Sequence, residues 1–131
     1  MTRSDRDPGL EHLELFTDLY ELTMAQGYFL AGRAERRASF DYFFRTNPFE
    51  GGYVVFAGLA DLIAHMEALR FEQPALDFLA EAGFDEGFLE HLSQWRFKGH
   101  IRAVREGEVV FPLEPIARVE ASILDAQILE S

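Results

Sequence analysis

The sequence contains no cysteine, a single tryptophan and no long apolar run. The absence of cysteine excludes a disulfide framework and a thiolate metal site. A membrane-spanning helix needs roughly 20 consecutive apolar residues, and no segment approaches that length. The first eight residues are polar and lack the apolar centre of a signal peptide. We therefore expect a soluble, cytoplasmic protein with no membrane partner.

Basic residues are also scarce, with 12 Lys and Arg against 23 Asp and Glu, for a net charge of −11. This balance disfavours a nucleic-acid partner, because such proteins present clustered positive charge to phosphates. If the ligand is an anion, a few well-placed arginines must hold it against the overall field.

What the sequence does contain is enough apolar material for a core: 48% hydrophobic residues and 13 Phe in 131 residues. Helical periodicity starts near residue 17 and recurs from 58 to 69, 74 to 82 and 86 to 95. Short strands are predicted at 38–45, 100–104, 109–111 and 116–120, whereas 53–56 is either a strand or the lead-in to a helix. The pattern predicts an α+β domain with helices packed on a small, mostly antiparallel sheet.

Three stretches are distinguished along the chain. Residues 1–12 are predicted to be disordered or weakly ordered, since they have little to bury. Residues 13–120 are predicted to form the α+β domain. Residues 121–131 are predicted to begin a helix that is apolar over much of its circumference, which is typical of a buried helix. Because this helix stops abruptly, we expect a fragment of a longer polypeptide whose exposed apolar face at 121–130 promotes self-association.

The most informative segment is Thr17–Phe29, which is predicted to be a helix with Thr17 as its N-cap. Its apolar stripe consists of Leu15, Leu19, Leu22 and Phe29. Gly27 inside the helix is explained by close approach of another backbone or, equally, by a tolerated defect costing about 1 kcal/mol. Gly32 is expected to end the helix.

Asp18 and Tyr20 lie off that stripe, near unsatisfied backbone N–H groups. From the residues alone, Tyr20 is a packing tyrosine, Asp18 a first-turn charge complementing the helix dipole, and Arg45 a solvated strand end or a partner for Asp41. None of the histidines shows metal-ligand spacing, and no glycine-rich phosphate loop is present. These histidines are His12, His65, His91 and His100.

Four segments in order resemble the N-terminal region of the nicotinate phosphoribosyltransferase family. They are Thr17–Phe29, Phe40–Phe49, Tyr53–Leu59 and Val104–Pro112. The resemblance extends from about Leu13 to Ser131 and implies the N-terminal domain of a type II phosphoribosyltransferase, with the following α/β barrel absent. The family joins nicotinate to phosphoribosyl pyrophosphate, giving nicotinate mononucleotide and pyrophosphate, with ATP hydrolysis driving the step.

The resemblance also implies partners and residue roles. The absent barrel would bind Mg²⁺ and ATP and would carry the catalytic residues, so no catalytic residue and no cofactor site are expected in this chain. In a homodimer, the N-terminal region of one subunit completes the barrel site of the other. Tyr20 would stack on the pyridine of nicotinate, Asp18 would help to place it, and Arg45 would reach the phosphates of the sugar donor. Thr23 and Asn47 are weaker candidates.

Two alternatives stay open beside this enzyme fragment, which we expect to be inactive alone. One is a stand-alone interaction module that has kept the domain without catalysis. The other is a nicotinamide-specific phosphoribosyltransferase, although the segment Leu19–Met24 favours the nicotinate branch.

Overall fold

A computed structural model describes residues 17–130 of the chain. The predictions for residues 1–12, His12 and Leu15 lie outside this range. The helices are α1 (Leu19–Leu30), α2 (Leu59–Ala68), α3 (Gln73–Glu81), α4 (Glu86–Ser93) and α5 (Ile123–Ile128), with a short 3-10 helix at Pro48–Glu50. The strands are β1 (Arg37–Tyr42), β2 (Val54–Val55), β3 (Gly99–Ala103), β4 (Val109–Val110) and β5 (Ala117–Ser122).

The strands form two small antiparallel sheets. In the three-stranded sheet the order is β1-β5-β3, so β5 is central and Val119 lies between Phe40 and Ile101. The second sheet pairs β2 with β4, which shows that the segment 53–56 contains a strand. The predicted α+β class with a small antiparallel sheet is confirmed, and residues 17–130 form no α/β barrel.

The two faces of the three-stranded sheet differ in polarity, as the alternation of a strand requires. On the polar face, Asp41 is directly opposite Arg118, whose Nε and Nη2 donate to the two carboxylate oxygens over 2.6 and 2.8 Å. This fork lowers the pKa of Asp41, chiefly through its hydrogen bonds. The suggestion that Arg45 pairs with Asp41 is therefore wrong, because the cross-strand neighbour occupies that carboxylate.

The core lies among α1, α3, α4 and α5. Its buried members are Leu22, Ala25, Phe71, Leu76, Leu79, Phe88, Leu92, Trp95, Leu124 and Ile128. Within it, the indole Nε1 of Trp95 donates to Oδ1 of Asp125 over 2.6 Å. Helices α1 and α5 pack together, which brings the two ends of the described chain into contact.

Helix α1 begins one residue later than predicted. Asp18 is the N-cap, in an extended conformation, while the hydroxyl of Thr17 donates to the carboxylate of the buried Glu21. The prediction of Thr17 as N-cap is therefore wrong. Gly32 follows the helix with φ +66°, as expected of a helix-ending glycine. No atom outside the helix lies within 4 Å of a Cβ added at Gly27, so within the described chain no backbone approaches it.

Helix α5 starts at Ile123, because residues 121 and 122 still belong to β5. Its Asp125 N–H donates to Oγ of Ser122, which caps the helix. Leu124, Ala126 and Ile128 are buried within the domain. The expectation of an exposed apolar face at 121–130 is wrong, since α1 and the sheet cover it.

Candidate functional site

Tyr20 occupies the second position of α1 and turns away from the core, with half of its surface exposed. Its phenol OH donates to Oε1 of Glu130 over 3.2 Å. Partial burial of the phenol, followed by the hydrogen bond and negative charge of Glu130, raises the pKa of Tyr20 to about 12. The phenol is thus neutral and engaged at its oxygen.

Asp18, the N-cap residue, is exposed close to this tyrosine, and its side chain makes no capping hydrogen bond to the start of α1. Its backbone oxygen accepts from the N–H of Glu21 over 3.0 Å. The hydroxyl of Thr23 donates to the Leu19 carbonyl over 2.9 Å, so it is satisfied within its own helix. With Glu21 nearby, the start of α1 is rich in carboxylates.

Arg45 lies beyond the end of β1, exposed to solvent. Its guanidinium forms no ion pair with any other residue between 17 and 130. Two residues further on, Oδ1 of Asn47 is buried and has no hydrogen-bond partner among the described residues. A positive side chain and an unmet acceptor thus lie close together in sequence after the strand.

Backbone strain is concentrated around Arg45. Phe49, Glu50 and Leu113 are the non-glycine residues with positive φ in the described part of the chain. Phe49 and Glu50 follow Arg45 closely, and the N–H of Leu113 donates to the carbonyl of Phe44 over 2.8 Å. Left-handed conformations at such residues cost about 1–3 kcal/mol each and cluster at functional sites. Phe49 is fully exposed, so its side chain gains nothing from the domain itself.

A groove of about 880 Å³ lies between the apolar face of the three-stranded sheet, the β2–β4 pair and α2. One part of its wall includes Thr17 and Glu130, the latter bonded to Tyr20. Another part includes Phe44 and Thr46, the two neighbours of Arg45. Tyr20, Asp18 and Arg45 do not themselves line this groove, and no contact joins Tyr20 to Arg45. The structure brings each of them next to a residue of the groove wall, Glu130 or Thr17 at one part and Phe44 or Thr46 at the other.

Glu130 is the residue of this site that the sequence did not indicate. Its second oxygen accepts a hydrogen bond from Nε2 of Gln127, whose side chain is buried. No local pattern reveals that Glu130 meets Tyr20, because the two residues lie at opposite ends of the described chain.

Comparison with known proteins identifies the domain. Residues 15–131 match the family model described as the nicotinate phosphoribosyltransferase N-terminal domain. The chain belongs to the nicotinate phosphoribosyltransferase family. It is 44% identical over 122 residues to nicotinate phosphoribosyltransferase of Bacillus subtilis, covering 92% of this chain and 25% of that protein. It is 45% identical over 118 residues to nicotinate phosphoribosyltransferase pncB2 of Mycobacterium tuberculosis, covering 89% and 25%.

The fold agrees with the same family. The crystal structure of human nicotinic acid phosphoribosyltransferase superposes with a TM-score of 0.78 at 40% identity, covering 87% of this chain and 24% of the human chain. The chain thus spans about a quarter of the length of these nicotinate phosphoribosyltransferases, and it corresponds to their N-terminal domain. No helix in residues 17–130 has the length and apolarity needed to cross a bilayer.

Proposed function

We propose that this chain is the N-terminal domain of an enzyme that joins nicotinate to phosphoribosyl pyrophosphate in NAD salvage, acting in the cytoplasm with ATP hydrolysis. Nicotinate mononucleotide and pyrophosphate are the products. The observation that carries the proposal is the half-exposed Tyr20 ring, held at its oxygen beside a groove, in a domain of this family. Alone, without a barrel, the chain is proposed to be inactive.

Tyr20 is proposed to stack on the pyridine ring of nicotinate. Its exposed surface is open to a planar ligand, while its hydroxyl is already engaged by Glu130. Aromatic pairs of this kind contribute about 0.5–1.5 kcal/mol beyond their buried area. Asp18, exposed at the start of the same helix, is proposed to help place the ring.

Arg45 is proposed to bind the phosphates of the sugar donor. Its guanidinium is not committed to a carboxylate of the described chain, and a guanidinium fork matches phosphate oxygens in pairs. The strained residues around it, and the unmet acceptor of Asn47, support a binding role for this region.

The bond-breaking step separates positive charge on the ribosyl ring from negative charge on the departing pyrophosphate. Tyr20 and Arg45 are proposed to orient the two reactants for this step. Residues 17–130 contain no group of three or more His, Asp or Glu suited to a metal ion. We propose that Mg²⁺ and ATP bind to a barrel domain, of the same or a neighbouring subunit in a homodimer.

A stand-alone interaction module is the second candidate. It is favoured by Phe49 and Leu113, which are strained and largely exposed apolar residues. A partner surface that buries them would offset the strain. Formation of nicotinate mononucleotide by a longer protein carrying this domain would decide for the enzyme.

The nicotinate site is tested by substituting Tyr20 in a protein that joins this domain to a barrel. Tyr20→Ala is expected to raise the KM for nicotinate about 2- to 13-fold, the equivalent of one aromatic pair. Leu30→Ala, at a similarly exposed position of the same helix, is the matched control and should leave the KM unchanged. An unchanged KM in Tyr20→Ala would remove this residue from the site.

The phosphate role is tested by Arg45→Lys and Arg45→Ala in the same protein. Both should raise the KM for phosphoribosyl pyrophosphate, because alanine removes the guanidinium and lysine keeps the charge but loses the paired geometry. Arg33→Ala, at another exposed arginine, serves as the control. If Arg45→Ala leaves this KM at the control value, the assignment is wrong.

A further inference from the structure

The carboxylate of Glu130 uses both of its oxygens inside the domain. Oε1 accepts the hydrogen bond of the Tyr20 phenol over 3.2 Å, and Oε2 accepts from the side-chain amide of Gln127. Fixing an exposed glutamate in one geometry normally costs rotamer entropy and brings no compensating gain in stability. Here the hydrogen bond from Gln127 fixes the carboxylate, and the hydrogen bond with Tyr20 in turn fixes the phenol.

The anchor of this arrangement is buried. Gln127 is only 2% exposed and lies on α5 between the buried residues Ala126 and Ile128. Helix α5 packs on α1, the helix that carries Tyr20. A series of two hydrogen bonds therefore connects the buried Gln127, through Glu130, to Tyr20 at the surface.

We infer that Glu130 is a positioning residue that fixes the orientation of the Tyr20 ring, and that Gln127 holds Glu130 in place for this role. As far as the ring serves nicotinate, the inference rests on the function proposed above. A ring held at its oxygen presents its faces in one orientation, which is the requirement for stacking a planar ligand.

The charge of Glu130 also favours one orientation of the bound ligand. Nicotinate carries a carboxylate, and Asp18 and Glu21 already make the start of α1 acidic. Repulsion between like charges favours a stacked pose whose carboxylate points away from Glu130. The raised pKa of Tyr20 agrees with this arrangement, because, after partial burial, the hydrogen bond to Glu130 and its negative charge favour the neutral phenol.

The first test follows ionisation of Tyr20 in the chain by NMR of tyrosine labelled with ¹³C at the ring carbon that bears the hydroxyl. The Tyr20 signal is identified by its loss in Tyr20→Phe. Glu130→Gln should lower the pKa of Tyr20 from about 12 toward 10, incompletely, because burial and Glu21 still act on it. Glu67→Gln, an exposed glutamate on α2, is the control. An unchanged Tyr20 pKa in Glu130→Gln overturns the inference.

The second test is a double-mutant cycle in a protein joining this domain to a barrel. Tyr20→Phe and Glu130→Ala remove opposite ends of one hydrogen bond, so each should raise the KM for nicotinate about threefold with little change in kcat. The double variant should show no further rise, and Glu130→Gln, which keeps an acceptor oxygen, should restore most of the affinity. Additive effects, or an unchanged KM in Glu130→Ala, would contradict the positioning role.

The two tests separate this inference from the function on which it rests. If Tyr20→Ala leaves the nicotinate KM unchanged while Glu130→Gln shifts the Tyr20 pKa, the proposed nicotinate site is wrong although the interaction between Glu130 and Tyr20 exists. If Tyr20→Ala raises the KM while Glu130→Ala does not, the nicotinate site stands and the positioning role is refuted.

Discussion

The hydrogen bond between Trp95 and Asp125 is the most consequential polar contact of the core, and its removal has a calculable effect. The indole N–H and the carboxylate meet over 2.6 Å, and the two residues are 4% and 8% exposed. The bond joins the segment after α4 to α5, the helix that carries Gln127. Burial is the main influence on the carboxyl and raises the pKa of Asp125, while hydrogen bonds from Trp95, Ser122 and the Lys98 backbone oppose it.

Two substitutions separate the contributions of shape and charge. Asp125→Ala leaves a buried indole N–H without its acceptor, which costs about 1–3 kcal/mol, and relief from burying a carboxylate offsets part of this. We expect a loss of about 2 kcal/mol in the free energy of unfolding. Asp125→Asn keeps an acceptor oxygen and loses only the charge, so its loss should be about 1 kcal/mol or less.

The assay is urea unfolding followed by the fluorescence of Trp95, the only tryptophan in the chain. Because the folded pKa of Asp125 lies above the unfolded value of 3.8, the folded state binds the proton more readily. The stability contribution of this group is therefore full below 3.8 and falls as pH rises through the folded pKa. Asp125→Asn lacks this titration. Its free energy of unfolding should therefore be closer to that of the wild type at neutral pH than in acid. An alanine variant as stable as wild type, or an asparagine variant as unstable as alanine, would refute the reasoning.

Further predictions concern glycine and the sheet. Gly99→Ala should lower the free energy of unfolding by about 1–3 kcal/mol, since its Cβ would lie 2.6–2.8 Å from the Phe97 ring, Ala121 and a backbone oxygen. Gly27→Ala should raise it by about 1 kcal/mol, because no atom outside the helix lies within 4 Å of the added Cβ and alanine favours the helix. A urea midpoint equal to that of the wild type would contradict the prediction for either variant. Arg118 lowers the folded pKa of Asp41, so this pair stabilises the fold above 3.8 and the gain is lost as pH falls through the folded pKa. In Asp41→Asn the loss of stability between neutral and acid pH should be smaller, and an unchanged acid limb of the unfolding profile would count against the pair.

Local patterns in the sequence predicted the elements well where the signal was itself local. Helices α3 and α4 were placed within about two residues of their ends, and Gly32 ended α1 as expected. The start of α1 was missed because the Thr17 hydroxyl donates to a side chain instead of accepting from the helix backbone.

Contacts between distant residues were not predictable in the same way. The ionic partner of Asp41 is Arg118, because antiparallel register places them opposite each other, whereas proximity in sequence suggested Arg45. For the candidate site, periodicity placed Tyr20 off the apolar stripe of α1, and its half-exposed ring agrees. The stripe itself was only partly right, because Leu22 is buried whereas Leu19 is 54% exposed. That Glu130 meets its hydroxyl follows only from the packing of α5 on α1.

The position of β5 at the centre of the three-stranded sheet bears on how this domain is made. It is the last of the described strands to leave the ribosome, yet both β1 and β3 pair only with it in that sheet. Helix α1 likewise packs on α5, which is synthesised after all the other helices described. Until β5 has been synthesised, the two earlier strands lack their partner and keep open edges and apolar faces, which are the features that chaperones recognise and that cause aggregation. Folding of this domain is therefore expected to occur in one late step rather than progressively as the chain emerges.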